Sequence, residues 1–239
     1  MRTRRIAFVV LLLALAVTLS GCSANGIINS PQVISGSGQV TTETRDVGGF
    51  TSVELRASGQ MNITQGDTNT LSITADDNLL PLIKTTVRGG VLIIEFDRPT
   101  ITFNPITRLQ YDITVRKLEA LTITGAGDFK VNNLNGESFK VNISGAGNIT
   151  AAGRVTSQEV TLTGAGRYDA DKLESDSATI EITGAGSASV WAKKTLDVNI
   201  SGMGNVSYYG NPEVSRRVSG VGSVNGKGDK QSGGQGGGG

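Results

Sequence analysis

The sequence predicts an all-β fold, a parallel β-helix or β-solenoid of about 18–20 residues per coil, and two observations carry that prediction. The first is a tetrapeptide of Ser or Thr, Gly, a small or apolar residue and Gly, present six times: Thr124–Gly127, Ser144–Gly147, Thr163–Gly166, Thr183–Gly186, Ser201–Gly204 and Ser219–Gly222. Successive first glycines are 20, 19, 20, 18 and 18 residues apart, too close for a closed domain and suited to one turn of a solenoid. The second is the apolar columns that appear when the copies are aligned. Two residues before the first Gly stand Ile123, Ile143, Leu162, Ile182, Ile200 and Val218; two earlier stand Leu121, Val141, Val160, Ile180 and Val198, with Arg216 breaking the series. Four residues after it come Phe129, Ile149, Tyr168, Ala188, Val206 and Val224. Alternate positions share one face of a strand, so each coil offers two short strands with apolar side chains inward. Stacked in register, neighbouring coils satisfy each other's backbone groups.

The glycines have a structural reason, a sharp turn with φ > 0 and corners that must nest without side-chain collision. The hydroxyl before each Gly suggests a ladder along the stack. The motif is not a dinucleotide fingerprint, because Lys130, Thr150, Asp169, Ser189, Ser207 and Asn225 stand where the third Gly belongs. Nor is it a calcium ladder, since only Asp128 of six equivalent positions is an Asp.

In chain order, Arg2, Arg4 and Arg5 precede an apolar run from Ile6 to Leu19, a secretory signal over residues 1–21. Fourteen helical residues reach only about 21 Å, short of a bilayer's hydrocarbon core. Leu19-Ser20-Gly21-Cys22 resembles the bacterial lipobox, which implies cleavage between Gly21 and Cys22 and a lipid on the Cys22 thiol. Cys22 is the one Cys of the chain, so an exported body holds together without disulfides. Residues 22–45 read as the lipidated Cys and a flexible spacer, with Ile34–Gly38 as an outlying copy of the repeat. Residues 46–226 form the β-helical domain. Within it, strand alternation runs through Val53–Ala57, Met61–Ile63 and Leu71–Ile73, then Val91–Phe96, buried on both faces, and Tyr111–Val115. Asp76–Lys84 is the best helical candidate, capped by Asp76 or Asp77 and cut short by Pro81. Residues 227–239 read as a disordered Gly-rich tail.

Composition limits the chemistry. Of 22 basic residues three leave with the signal, so 19 face 21 acidic ones, a balance that calls for no nucleic acid. With no His there is no histidine metal ligand or imidazole base, and no metal or cofactor is expected. Asp169 and Asp171 point the same way along one strand, like the carboxylate pairs of β-helix polysaccharide enzymes, yet Lys130, Asn132, Thr150, Ala152, Ser189 and Trp191 fill the same positions of adjacent coils. Trp191 and Tyr209 lie seven residues after successive first glycines, and as an exposed aromatic pair they are the candidate ligand contact; covering a coil corner is the alternative.

The lipobox, the front section around Val47–Val53 and Leu92–Ile94, and the recurring Ile-Thr-Gly-Ala-Gly and Val-Asn-Ile-Ser-Gly-Ala-Gly units together resemble the putative auto-transporter adhesin head GIN domain family over roughly Asp46–Gly226. That resemblance implies a bacterial envelope protein with a right-handed β-helical body; the family has no agreed catalytic residues to carry over. The expectation is therefore a non-catalytic lipoprotein, anchored to the outer membrane where there is one and otherwise to the outer face of the cytoplasmic membrane. It would bind an envelope glycan or a protein partner as a monomer or small homo-oligomer. A carboxylate enzyme acting on polysaccharide and a structural or signalling lipoprotein are the alternatives. The crowding of Arg216, Arg217, Lys227, Asp229 and Lys230 at the last coil discourages further stacking.

Overall fold

The computed structural model describes residues 32–97, 101–103 and 107–230; the signal segment, Gly21 and the Cys22 lipidation site lie outside them. Nine strands make up the front section: β1 (Gln32–Ile34), β2 (Val40–Arg45), β3 (Ser52–Leu55), β4 (Gln60–Gln65), β5 (Thr70–Asp76), β6 (Ile83–Arg88), β7 (Val91–Phe96), β8 (Ile101–Phe103) and β9 (Leu109–Val115). The repeats supply β10 (Ala120–Ile123), β11 (Ala126–Ile143), β12 (Ala146–Leu162), β13 (Ala165–Ile182), β14 (Ala185–Ile200), β15 (Met203–Tyr209), β16 (Glu213–Val218) and β17 (Val221–Gly226). From β10 onward every pairing is parallel, and like residues stand on like: Leu121 on Val141, Val160 on Ile180, Phe129 on Ile149, Ile149 on Tyr168. The chain is a parallel β-solenoid, as expected. The aligned apolar columns are its core, and most of their members are fully buried. Burial of each aliphatic side chain contributes roughly 1.5–3 kcal/mol.

Pairing runs almost unbroken around each coil rather than through two separate strands, and the regular break is the Ser/Thr-Gly pair. There both amides donate to one carbonyl of the coil before, as Ser144 and Gly145 do to Ile123 O at 2.9 and 3.2 Å. The next amide, Ala146, donates to Gly125 O at 3.1 Å. Glycine is required here for space and not, as the sequence suggested, for φ > 0: none of the six first glycines has a positive φ. A Cβ on Gly164 would lie 2.0 Å from Gly145 O, and one on Gly184 2.1 Å from Gly164 O. The hydroxyls do not bond to one another along a ladder either. Those of Thr124, Ser144 and Thr163 each donate to the same carbonyl of the preceding coil as their own amides, at 3.4 Å.

The front section extends the stack. β3 lies under β10 with Val53 on Leu121 and Leu55 on Ile123, and β4 lies under β11 with Met61 on Phe129. Arg56-Ala57-Ser58-Gly59 is thus a degenerate corner, separated from the regular repeats by an insertion. β7 and β9 form the layer below in the same way, Leu92 under Val53 and Tyr111 under Met61. β7 buries one face only, with Leu92 and Ile94 inward and Ile93 on the other face partly exposed; antiparallel β6 pairs along its edge. Antiparallel β5 on β9, and β2 on β5, complete a cap that ends parallel stacking.

β2 belongs to this cap and β1 pairs in parallel with β8 as a separate two-stranded sheet, so residues 32–45 are strands and turns, and only the earlier part of the expected spacer lies outside the described residues. Ile34–Gly38 is not a coil; it wraps Asp76. The helical candidate shrinks to one 3₁₀ turn at Leu80–Leu82, whose buried Leu79 and Leu80 face the core. Asp76 does not cap it. Its carboxylate is buried, which alone would raise its pKa, but it accepts hydrogen bonds from the amides of Thr107 at 3.0 Å and Gly38 at 2.8 Å, and the net direction is below the ordinary carboxylate range.

Two outcomes follow for stability. Gly164→Val, forced onto a backbone carbonyl, is expected to cost about 3 kcal/mol in denaturant unfolding, whereas Gly136→Ala, with no atom within 4 Å of the new Cβ, leaves the midpoint unchanged. Because the folded pKa of Asp76 is depressed, its contribution is fully present above the unfolded value near about 3.9 and disappears as pH falls through the lower folded value. Protection factors of the Gly38 and Thr107 amides, taken against intrinsic exchange at each pH, should fall over that acid window, and Asp76→Asn should lower them at neutral pH already.

Candidate functional site

The outward positions of the second strand of each coil form a polar face. One column runs Asp128, Asn148, Arg167, Ser187, Asn205, Ser223 and the next Lys130, Thr150, Asp169, Ser189, Ser207, Asn225, all in register. Six coils at about 4.8 Å make a face about 24 Å long. Amides and carboxylates bond along it, Asn148 to Asp128 at 2.9 Å and Ser223 to Asn205 at 2.9 Å. Towards its C-terminal end lies a shallow groove of about 380 Å³ lined by Arg167, Asp169, Asp171, Ser189, Ser207, Tyr209 and Lys227 among others.

Trp191 and Tyr209 are direct neighbours in adjacent coils, both partly buried, at the edge of this groove. A change in coil size puts them there. The pairing of β13 with β14 jumps from Ala170↔Val190 to Glu174↔Trp191, so Asp171–Leu173 of the longer coil bulge out where the shorter coil above offers them no partner. The bulge is anchored by the buried Leu173 and leaves Asp171 facing the aromatic pair from the preceding coil.

A buried polar cluster fixes the backbone at Trp191. Tyr168 Oη donates to Gln158 Oε1 at 3.1 Å, Gln158 Nε2 donates to Ser175 Oγ at 2.8 Å, and Ser175 Oγ donates to the Trp191 carbonyl at 2.8 Å. Burial pushes the Tyr168 phenol well above its usual range, so it remains a donor. No buried side-chain nitrogen or oxygen among the described residues lacks a partner. The sequence carries a signal for this cluster: Gln158 stands in the inward column of Phe139, Ala178, Leu196 and Val214, and Ser175 in that of Val155 and Ala192.

The C-terminal segment closes over the pair. Lys227 N donates to Tyr208 O at 2.8 Å and Gly210 N to Gly228 O at 3.1 Å. Lys230 then reaches back: its Nζ lies 4.6 Å from the Tyr209 ring centroid, 5.8 Å from that of Trp191, and 2.7 Å from Asp171 Oδ2. Residues 227–230, expected as part of a disordered tail, are therefore packed; residues 231–239 lie outside the described set. The aromatic pair is brought together as the spacing implied. Asp169 and Asp171 share the groove, but Asp171 is engaged by Lys230. Elsewhere, salt bridges bind coil to coil, with Glu174 held below the ordinary carboxylate range by Lys193 and then Arg154, each 2.9 Å away. Among the described residues no group of three or more acidic or Cys side chains is arranged to hold a metal.

These features define a capped parallel β-solenoid with one polar face and an aromatic edge. Residues 49–212 match the putative auto-transporter adhesin, head GIN domain family, and the chain belongs to it. The family's adhesin description fits a cell-surface or envelope protein. The fold is shared with a putative adhesin from Bacteroides fragilis (21% identity, TM-score 0.68, covering 81% of this chain and 99% of that one). It is shared also with a putative lipid binding protein from Parabacteroides distasonis (24% identity, TM-score 0.51, 82% and 99%). No curated protein matches the chain in sequence.

Gln158→Leu removes the acceptor of the Tyr168 hydroxyl and the donor to Ser175 Oγ, which keeps its bond to the Trp191 carbonyl. It is expected to cost about 1–3 kcal/mol of unfolding free energy and to shift the emission of Trp191, the chain's one tryptophan, towards that of exposed indole.

Proposed function

We propose that this protein is a non-catalytic, lipid-anchored module of the bacterial envelope whose solenoid binds a glycan along its polar face, with Trp191 and Tyr209 as the stacking edge. The observation that carries this reading is the pair of in-register polar columns flanked, in the next outward position, by an aromatic pair. Sugar rings present hydroxyls to the first and apolar C–H faces to the second; stacked coils repeat the polar groups at a constant interval, and two of them carry the aromatic pair. A hydrolytic pair needs one free carboxylic acid and one free carboxylate positioned across a bond, whereas Asp171 is tied to Lys230 by an ion pair, which supports binding over turnover. Cys22 would carry the anchor; two or more acyl chains hold a protein stably at a bilayer, as one does not. Ser23 lacks the Asp associated with inner-membrane retention in enteric bacteria, which is compatible with an outer-membrane destination.

The test is an array of envelope and extracellular glycans probed with the acyl-free body, residues 23–239, recording retention and released reducing ends or unsaturated sugars together. Retention without product is expected, with at least about a tenfold loss of affinity for Trp191→Ala/Tyr209→Ala. Turnover abolished by Asp169→Asn or Asp171→Asn would establish an enzyme instead, and silence in both channels would direct the search to a protein partner.

A further inference from the structure

The aromatic edge is occupied by the chain's own lysine, and the way it is held identifies what the edge takes. Lys230 presents an ammonium to two ring faces within the range of cation–π attraction and hydrogen-bonds the carboxylate of Asp171 at 2.7 Å. The same ammonium donates to the Asp171 main-chain carbonyl. Both charged side chains are largely withdrawn from water, Lys230 at 23% and Asp171 at 28% exposure, so these attractions are screened less than on an open surface. The acceptor pair on Asp171 selects N–H donors, which a primary ammonium has and a quaternary one lacks.

We propose that Asp171, Trp191 and Tyr209 form a site for a primary ammonium, filled in the free protein by Lys230 and taken in the bound state by the free amino group of an unacetylated amino sugar. This rests on the glycan reading above and specifies its ligand. A hexosamine ring carries both halves of the complementary chemistry, an ammonium for Asp171 and a C–H face for the rings. Exchange requires little unfolding. The rungs at Lys227 and Gly228 secure the segment to Tyr208 and Gly210, and Gly228 turns the chain with φ +79°, so among the described residues only Asp229 and Lys230 need leave for the site to open. Lys230 then acts as a built-in competitor that lowers apparent affinity in proportion to its occupancy.

The test uses the full chain in detergent and reads Trp191 emission. Wild type, Lys230→Ala and Lys230→Ala/Asp171→Asn are titrated with glucosamine oligosaccharides carrying free amines, with the N-acetylated oligosaccharides of the same length, and with the N-acetyl amide of lysine. The expected result is saturable binding of the free-amine oligosaccharide, roughly tenfold tighter in Lys230→Ala than in wild type and lost in the double variant, with little response to the N-acetylated form. Equal binding of the N-acetylated form would overturn the ammonium site while leaving the glycan reading intact. Equal binding of the lysine amide would overturn the assignment to an amino sugar. No response of folded Lys230→Ala to any probe would overturn the proposal and make Lys230 a purely internal clasp. Should that variant fail to fold by circular dichroism, Lys230→Gln, which keeps the aliphatic stem, carries the same titrations with the same outcomes.

Discussion

Successive coils of this protein touch, backbone to backbone, at the Ser/Thr-Gly corner, and the remainder of the solenoid is arranged around that contact. One carbonyl of each coil receives two amides of the next, while the glycine carbonyl one step on receives a third. A Cβ would stand about 2 Å from a carbonyl oxygen there, so the missing side chain is the condition for the rung spacing to hold at the corner. With one corner pinned in every coil, the inward columns stack side chain on like side chain. Neither disulfide nor metal is needed to account for the core.

Pinning one corner leaves the opposite side free to vary, and the variation lies there. Coils differ between 18 and 20 residues, yet corner residues stay in register throughout. The difference is absorbed by irregular pairing, at Val131/Leu134, at Thr150/Ala152 and most strongly at Ala170/Glu174. This last irregularity sets Asp171 against Trp191 and Tyr209, and the buried Gln158–Ser175–Tyr168 cluster holds the backbone where the aliphatic stacking is interrupted. The aromatic edge is thus a product of the same length variation that the corner tolerates.

The two ends are managed differently. At the N-terminal end β5, β6 and β2 turn antiparallel and close the stack. At the C-terminal end the last coil thins out, with Val218 at 41% and Val221 at 74% exposure, and Arg216 replaces an inward aliphatic. The segment beyond β17 is used for something else, carrying Lys230 back across three coils to Asp171. That return is what connects the end of the solenoid to the polar face and its groove.

The repeat spacing, the apolar columns and the proximity of Trp191 to Tyr209 could be read from sequence because a parallel in-register stack turns a period along the chain directly into a neighbour in space. The polar Gln158 and Ser175 in apolar columns were legible by the same rule. What sequence could not decide lies wherever that rule lapses. Arg56–Gly59 is a corner without the glycine pattern, and its partner coil follows only after the inserted β5–β9; pairing across such an insertion depends on three-dimensional register, not on period. Residues 32–45 have the composition of a spacer, yet Gln32–Ile34 pair with β8 and Val40–Arg45 cover the exposed edge of β5. Lys230 lies 59 residues from Asp171 in a glycine-rich stretch, and no local pattern marks a lysine for that reach. Local chemistry determined the solenoid and its corner; the cap, the bulge and the clasp on the aromatic edge were decided by which backbone edges and charged groups the folded stack left to be satisfied.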